Sequence, residues 1–455
     1  MPSEAGRFKR IDRFDEGGLL RYRRAASLLA SVLIGLVAFN SAFAAGSYPQ
    51  YTTRPVPTSG QDAFAVAVNG TTGYAFAAMP GSNTLSIIAT DIKAEMQSLP
   101  MPDGPAGVAV NEVTNKIYVS SYGNTGPTGH MLSIIDGNTF TRSEVDLGYN
   151  MGGYGVAVNA TTNKIYVASF GSNSLAIIDG ATLATSTVEF PTFTSIVPDI
   201  PVNEVPVCTS QPYAPTDTAY YCVNDVEPQP IGVAVNESTN KVYVTGWGSN
   251  QIFVIDGASN ALESTISDDT SPGGLQRISG PWGIAVNQAA QEVHVAMPGN
   301  SRLSTIDTNP THVSTYNKFI RCLGETGGTR PCTLGAQNGI TTLAFDAPRN
   351  QLVAAFYNQP GSVKVYNPAT NWSSTSITAG VTTIGVGVNP SNGDIYSANP
   401  GNLDNWFKKL WLNPSQGVRD HAGDPVGFLM DANSGSKWQS INPGFVSVSR
   451  NGPGL

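Results

Sequence analysis

Charge is scarce in this 455-residue chain: Asp, Glu, Lys and Arg together make up 13% of it, about half the share usual in a soluble globular protein. Lys and Arg number 25 against 33 Asp and Glu, a net charge of −8, so the basic footprint of a nucleic-acid binder is missing. Cysteine is scarcer still, with only Cys208, Cys222, Cys322 and Cys332. No CxxC or CxxCH occurs, which removes the usual signals for zinc and for c-type haem attachment. GxSxG, GxGxxG and P-loop patterns in their proper context are also absent, and with them the signals for a nucleophile elbow, a dinucleotide fold and a phosphate-cradling loop. No cofactor is implied. What the chain has instead is 48 Gly and 31 Pro with 40% hydrophobic residues, a composition that suits a loop-rich all-β protein, and a length that permits a large core.

The N-terminus carries an export address. Arg21, Arg23 and Arg24 precede an apolar run from Ala25 to Phe39, and Ala42-Phe43-Ala44 supplies the small-x-small pattern of a signal-peptidase site. Residues 1–44 are expected to be a signal peptide and residues 45–455 a single domain in the periplasm or at the cell surface. A retained anchor is the alternative, but Asn40 and Ser41 interrupt the run and Ala25 to Phe39 is short for a span; no membrane span is expected once the signal is removed. Arg23-Arg24 permits twin-arginine export, although Ala26 and Ser27 stand where that signal prefers bulkier residues, so the route stays open. Cleavage removes seven basic and four acidic residues and leaves 18 Lys and Arg against 29 Asp and Glu, a net charge of −11. Four cysteines can pair in three ways, and in an oxidising compartment the two close spacings favour Cys208–Cys222 and Cys322–Cys332.

The chain repeats itself. "NATTNKIYVASFGSNSLAIIDGAT" from Asn159 is echoed by "NEVTNKIYVSSYGN" from Asn111 and "NESTNKVYVTGWGSNQIFVIDGAS" from Asn236. Aligned on the polar residue that closes a "GVAVN"-like strand, the anchors are Asn69, Asn111, Asn159, Asn236, Asn287, Asp346 and Asn389, with Asp431 as an eighth. Each anchor can start a turn through its own side chain. Four residues on stand Gly73, Asn115, Asn163, Asn240, Gln291, Asn350, Gly393 and Gly435; all but Gln291 are types that tolerate a left-handed turn. Seven residues after the anchor come Phe76, Tyr118, Tyr166, Tyr243, His294, Val353, Tyr396 and Trp438, mostly aromatic, as expected of side chains packed between sheets. A third strand such as "LAIIDG" and a fourth such as "TSTVEF" complete each unit.

Four short strands per unit, here named a to d, make one blade of a β-propeller. "KIYV", "KVYVTGWGSN" and "IIDG" resemble the YVTN-type repeat of the β-propeller family found in exported bacterial proteins, over about residues 60–415. The resemblance implies an all-β propeller of four-stranded blades and says little about function, because the family hosts surface and periplasmic proteins of varied kinds. Asp431 brings Gly435, Trp438 and a strand-c-like "FVSVS" at the expected distances, and "YTTRPVP" from Tyr51 reads as a fourth strand placed before the first blade. Eight blades are therefore preferred to the family's usual seven, with the N-terminal strand closing the ring.

In a propeller the d-to-a and b-to-c loops share one face around the central channel. Five residues before each anchor, at the channel mouth, lie Phe64, Ala106, Tyr154, Ile231, Trp282, Thr341, Ile384 and Val426; eleven after it, in the b–c loop, lie Pro80, Tyr122, Phe170, Trp247, Pro298, Tyr357, Pro400 and Asn442. Phe64, Tyr154, Ile231, Trp282, Tyr122, Phe170, Trp247 and Tyr357 are the candidate site, an apolar aromatic surface for a small ligand or a protein segment. Packing of loop on loop is the plainer alternative. On the binding reading, truncating Trp247 or Trp282 should cost less stability than truncating Tyr166. Two insertions fall on the same face, at 190–230 with Cys208 and Cys222 and at 321–339 with Cys322 and Cys332, and each reads either as part of a lid or as a stapled surface loop.

Catalytic signals are thin. His130 falls in a b–c loop, His312 in an expected outer strand, and His294 in the slot that is tyrosine elsewhere. "RDHAGD", with Asp420, His421 and Asp424, is the one metal-like cluster, and a solvated loop is its default reading. The favoured function is a non-enzymatic ligand- or protein-binding module. An enzyme of lactonase, hydrolase or lyase type is the alternative, and a structural surface-layer module the third.

Overall fold

The turns are written in side chains. The Asn69 amide oxygen accepts hydrogen bonds from the Thr71 and Thr72 backbone N–H groups, 3.0 Å each, and Asn111 and Asn236 do the same for the residues two and three beyond them. The residue four past the anchor is left-handed in all seven repeats, with φ of 74° at Gly73, 51° at Asn115, 52° at Asn163 and Asn240, 51° at Gln291, 49° at Asn350 and 79° at Gly393. Gln291 thus complies although its type has no preference for that region. A second turn of this kind closes strand c, where Asp136, Asp179 and Asp256 accept from the N–H groups two and three residues on. Those backbone bonds hold the Asp136 and Asp179 carboxyls below the usual range.

A computed structural model describes residues 51–122, 130–148, 152–197, 222–267, 278–300, 302–323, 339–357, 360–380, 382–400, 418–419, 425–426 and 445–451. All lie in one unit, Tyr51–Leu455. Six blades run consecutively over residues 65–100, 105–146, 153–189, 230–266, 284–323 and 340–380, each a four-stranded antiparallel sheet in the order a, b, c, d. Blade seven takes Gly385–Val388 and Ile395–Asn399 as strands a and b, Phe445–Asn451 as strand c and Tyr51–Val56 as strand d. No α-helix occurs among the described residues.

The expected eighth blade is corrected to seven. "FVSVS" does not follow a new strand b: Ser449 pairs with Ile395 and Val446 with Ala398, so it completes the blade that Asn389 opened. The chain between Asn399 and Phe445 is an insertion between strands b and c, and Asp431, Gly435, Trp438 and Asn442 lie in it, outside the described residues. Closure by the N-terminal strand is as expected, one blade earlier: Tyr51 opposes Asn451 and Val56 opposes Val446. In the first insertion Phe193–Val197 pairs with Cys222–Val226. Cys322 lies in strand d of blade five and is disulfide-bonded. Residues 1–50, Cys208, Cys332, and Asp420, His421 and Asp424 lie outside the described residues.

Blade packs on blade through the strand-b column. Phe76, Tyr118, Tyr166, Tyr243, His294, Val353 and Tyr396 are all buried, at most 1% exposed. Near the a–b turns an amide ladder joins neighbouring blades: the anchor Nδ2 donates to the Oδ1 of the turn asparagine in the next blade, from Asn69 to Asn115 (2.9 Å), Asn111 to Asn163 (3.1 Å) and Asn159 to Asn240 (2.9 Å). The ladder breaks between blades four and five. There the partner is Gln291, and both Asn236 Nδ2 and Gln291 Oε1 are buried without a hydrogen bond.

Candidate functional site

Two sets of backbone bonds bring the mouth and b–c columns together. In blades two, three, four and six the aromatic residue eleven past the anchor donates its N–H to the carbonyl seven before the same anchor: Tyr122 to Gly104 (2.7 Å), Phe170 to Gly152 (2.9 Å), Trp247 to Gln229 (3.1 Å) and Tyr357 to Gly339 (2.8 Å). Blades one, five and seven have Pro80, Pro298 and Pro400 there, with no N–H to give. In these blades the mouth residue is the donor instead, Phe64 to Ala78, Trp282 to Ala296 and Ile384 to Ala398. Strand a follows the same division. A register shift occurs near its start in blades two, three, four and six and in none of the proline blades. The aromatic-or-proline choice at one position thus selects a bulged or a straight inner strand and aims the mouth residue accordingly.

Side chains lock the next blade's loop in place. Asn83, Asn173 and Asn250, left-handed at the b–c turn, accept from the N–H groups of Gly104, Gln229 and Gly280 at 3.0, 3.0 and 2.7 Å. Ser120 Oγ receives the Gly107 N–H and donates to the Tyr154 carbonyl (2.8 Å), and Thr245 Oγ1 likewise joins Gly232 to the Trp282 carbonyl (2.9 Å). The glycines allow this approach, since a Cβ on Gly232 would stand 2.1 Å from the Trp282 oxygen.

The result is a single cluster. Ala106, Tyr154, Ile231, Trp247, Trp282 and Ile384 are buried in it, and Phe64, Tyr122, Phe170 and Tyr357 pack against it half-buried. All eight candidate site residues therefore meet. Trp247 and Trp282 form an edge-to-face pair with centroids 5.4 Å apart at 86°, and Trp247 also lies over left-handed Gly280, where a Cβ would come within 2.9 Å of the indole. On the other side Tyr154 is surrounded by Tyr122 (4.2 Å), Phe170 (5.6 Å) and Phe64 (6.4 Å). Burial first, then the neighbouring Tyr122 hydroxyl, push the Tyr154 phenol well above its usual pKa, so it stays neutral.

Burial corrects one expectation. Trp247 and Trp282 are 5% and 6% exposed, so truncating either removes core and should cost about 3–5 kcal/mol, as at Tyr166. The accessible parts of the cluster are Phe64, Tyr122, Phe170 and Tyr357. The bulge, the asparagine latches and the hydroxyl relay were not anticipated, although Pro against aromatic eleven past the anchor was a visible signal for the first.

The histidines do not assemble a site. His294 is fully buried, with Nδ1 3.0 Å from Thr305 Oγ1 and its ring stacked on Phe345 and edge-on to Trp372. Burial, with Arg321 adding, lowers its pKa to about 3; it is a neutral core residue. His312 lies in the c–d turn of blade five rather than in an outer strand, 2.9 Å from Asp307. His130 Nε2 faces Asp146 at 3.3 Å. Among the described residues no group of three or more His, Cys, Asp or Glu could hold a metal ion, and no helix is long and apolar enough to cross a membrane.

No protein-family model and no curated protein matches the chain. Among solved structures it is similar to the β-propeller domain of Cps50 (Swd1) from Myceliophteria thermophila, with 10% identity and a TM-score of 0.52 over 75% of this chain and 94% of that one. The likeness is one of fold. The chain is a seven-bladed β-propeller.

Proposed function

We propose that this chain is an exported propeller of the YVTN type that works as a non-enzymatic binding module, engaging a ligand or a protein segment through its b–c and d–a loop face. The observation that carries the reading is the convergence of two sequence columns into one aromatic cluster on the face that also bears the long insertions. The a–b turns on the opposite face are uniform in length and, from blade one to blade four, tied to one another by the amide ladder, whereas the 190–230 insertion, the Cys322 loop and the chain between Asn399 and Phe445 all connect strands on the aromatic side. Variable loops around a rigid frame are where binding concentrates. Export is supported by the Arg21-to-Ala44 pattern, and the pairs Cys208–Cys222 and Cys322–Cys332 belong to the same proposal.

A thermal-shift screen of small ligands and peptides tests the site. Compounds that stabilise the wild-type protein should fail to stabilise Phe170→Ala and Tyr357→Ala, which change half-buried rings. If every hit shifts wild type and variants alike, binding lies elsewhere. For export, the mature protein from cells should begin at Ala45; an intact Arg21–Phe39 segment would make it membrane-anchored.

A further inference from the structure

Strand d ends the sheet in every blade, so its outer edge carries backbone N–H and C=O groups that no further strand takes among the described residues. Such an edge is a template for pairing with another chain, and it is normally blunted by charge, by proline or by being short. Six of the seven follow that rule: Glu95, Glu144, Glu189, Glu263, Arg321 and Arg54 stand in strand d of blades one to five and seven. Blade six does not. Its strand d, Ser373–Gly380, is the longest of the seven at eight residues and holds neither a charge nor a proline. Its pairing with strand c is unshifted from Ser373 to Thr378, so no bulge turns that stretch of edge aside.

The side chains set the kind of partner. Ile377 and Ala379 are buried in the core that blade six shares with blade seven, while Ser374, Ser376 and Thr378 are exposed and form a row of hydroxyls. From Gly361 to Gly380 the one charged residue is Lys364, half-buried over the Phe356 ring. The whole chain carries −8, so copies of it repel one another in general, and this sector of the circumference brings no acid to a contact. A twofold-related copy pairs antiparallel, strand on itself. In blade two such pairing about Glu144 sets that carboxylate against its own copy; on Ser373–Gly380 it sets hydroxyls against hydroxyls, a favourable cross-strand arrangement. A charged segment finds no counter-charge in that row, and an apolar one no apolar neighbour. We infer that Ser373–Gly380 is a dimer contact, at which two copies of this chain pair their blade-six outer strands antiparallel and join two four-stranded blades into one sheet. The contact lies on the circumference, so it stands whether or not the loop face binds a ligand.

A single strand pair is a small interface, so the dimer is expected to be weak, and the test is sedimentation velocity of the full mature chain from about 1 to 500 μM. Wild type should shift reversibly from monomer to dimer as its concentration rises. Ser376→Glu changes an exposed residue that stands opposite Lys364 within the blade, and it should weaken association at least tenfold. Ser376→Thr should keep the dimer, and Thr187→Glu, an exposed change on the outer strand of blade three, should leave it unaltered. Equal melting temperatures check that the variants fold; where Ser376→Glu does not, Ser374→Glu makes the same test. A wild type that stays monomeric throughout, or a dimer as strong in the glutamate variant as in wild type, overturns the inference. A monomeric wild type that instead binds an acetylated, amidated Thr-Val-Thr-Val-Thr-Val peptide, with loss in Ser376→Glu, gives the edge to another partner and overturns it too.

Discussion

The seam that closes the ring offers the sharpest test of the fold. Asp394, immediately before strand b in blade seven, is fully buried and carries a charge. Arg450 on the C-terminal strand grips it with Nε to Oδ1 at 2.7 Å and Nη2 to Oδ2 at 2.8 Å. Lys93, from the c–d turn of blade one and itself buried, pairs with Oδ2 and lies 3.3 Å from the Tyr396 hydroxyl. One carboxylate thus joins blade one, blade seven and the C-terminal strand. Asp394→Asn keeps the shape and removes the charge, leaving the Lys93 ammonium buried without a counter-ion, a loss of about 3–5 kcal/mol. With an unfolding entropy of about 2.1 cal/mol/K per residue over roughly 400 residues, that is a fall in melting temperature of about 4–6 °C. Burial raises the Asp394 pKa, but the bonds from Arg450 and Lys93 outweigh it and the net shift is downward. The stabilisation is therefore complete above the ordinary carboxylate range and fades as pH falls through the folded value, so the gap between wild type and variant should begin to narrow below about pH 4 and shrink further as the pH falls. Scanning fluorimetry from pH 3 to 8 measures both effects. Lys93→Met combined with Asp394→Asn should recover most of the loss, because Arg450 is partly exposed and can hydrate. A single variant within 1 °C of wild type at pH 7, or a double variant no better than the single, would refute the argument.

Other perturbations follow from the same seams. His294→Phe, which installs the residue that blade one holds at Phe76, should flatten the acid limb of stability. Neutral His294, with its pKa lowered to about 3, gives full stability above about pH 6.5 and loses about 1.4 kcal/mol per unit below it, as chemical denaturation at pH 6.5 and 4.5 will read. Gln291→Asn should rejoin the amide ladder with Asn236 and suit φ of 51°; a gain of about 1–2 kcal/mol is expected, and no gain would show that ordered water already serves those atoms. Deleting residues 51–56 removes a whole strand from blade seven and exposes Phe445–Asn451 as a new edge; limited proteolysis should then open the ring, and an unchanged digestion pattern would mean closure does not depend on that strand.

Much of the frame was legible because its determinants are local. An asparagine that bonds to the backbone two and three residues on, and a left-handed residue four on, mark the a–b turn wherever they occur, and the strand-b aromatic sits at a fixed distance from them. The blade count was not legible for the opposite reason. Anchor spacing measures distance along the chain, and an insertion between strands b and c of blade seven spans about the length of a repeat. Only the pairing of Ile395 with Ser449 distinguishes one interrupted blade from two.

The site shows the same limit at the level of side chains. Column membership placed Trp247, Trp282 and Phe170 on one face, and they do meet there, but it could not say which rings face solvent and which face each other. That depends on the neighbouring blade. Gly232 admits the Trp282 backbone, Asn250 holds the Gly280 loop, and Gly280 leaves room for the Trp247 indole, so the blade-four and blade-five indoles close on one another and become core. Around Tyr154 three rings compete for one buried place, and Phe64, Tyr122 and Phe170 stay at the margin. Exposure in this cluster is set by how many large rings converge on the same interior volume, which is why Phe64, Tyr122 and Phe170, like Tyr357 of blade six, keep part of their surface accessible while the larger indoles do not.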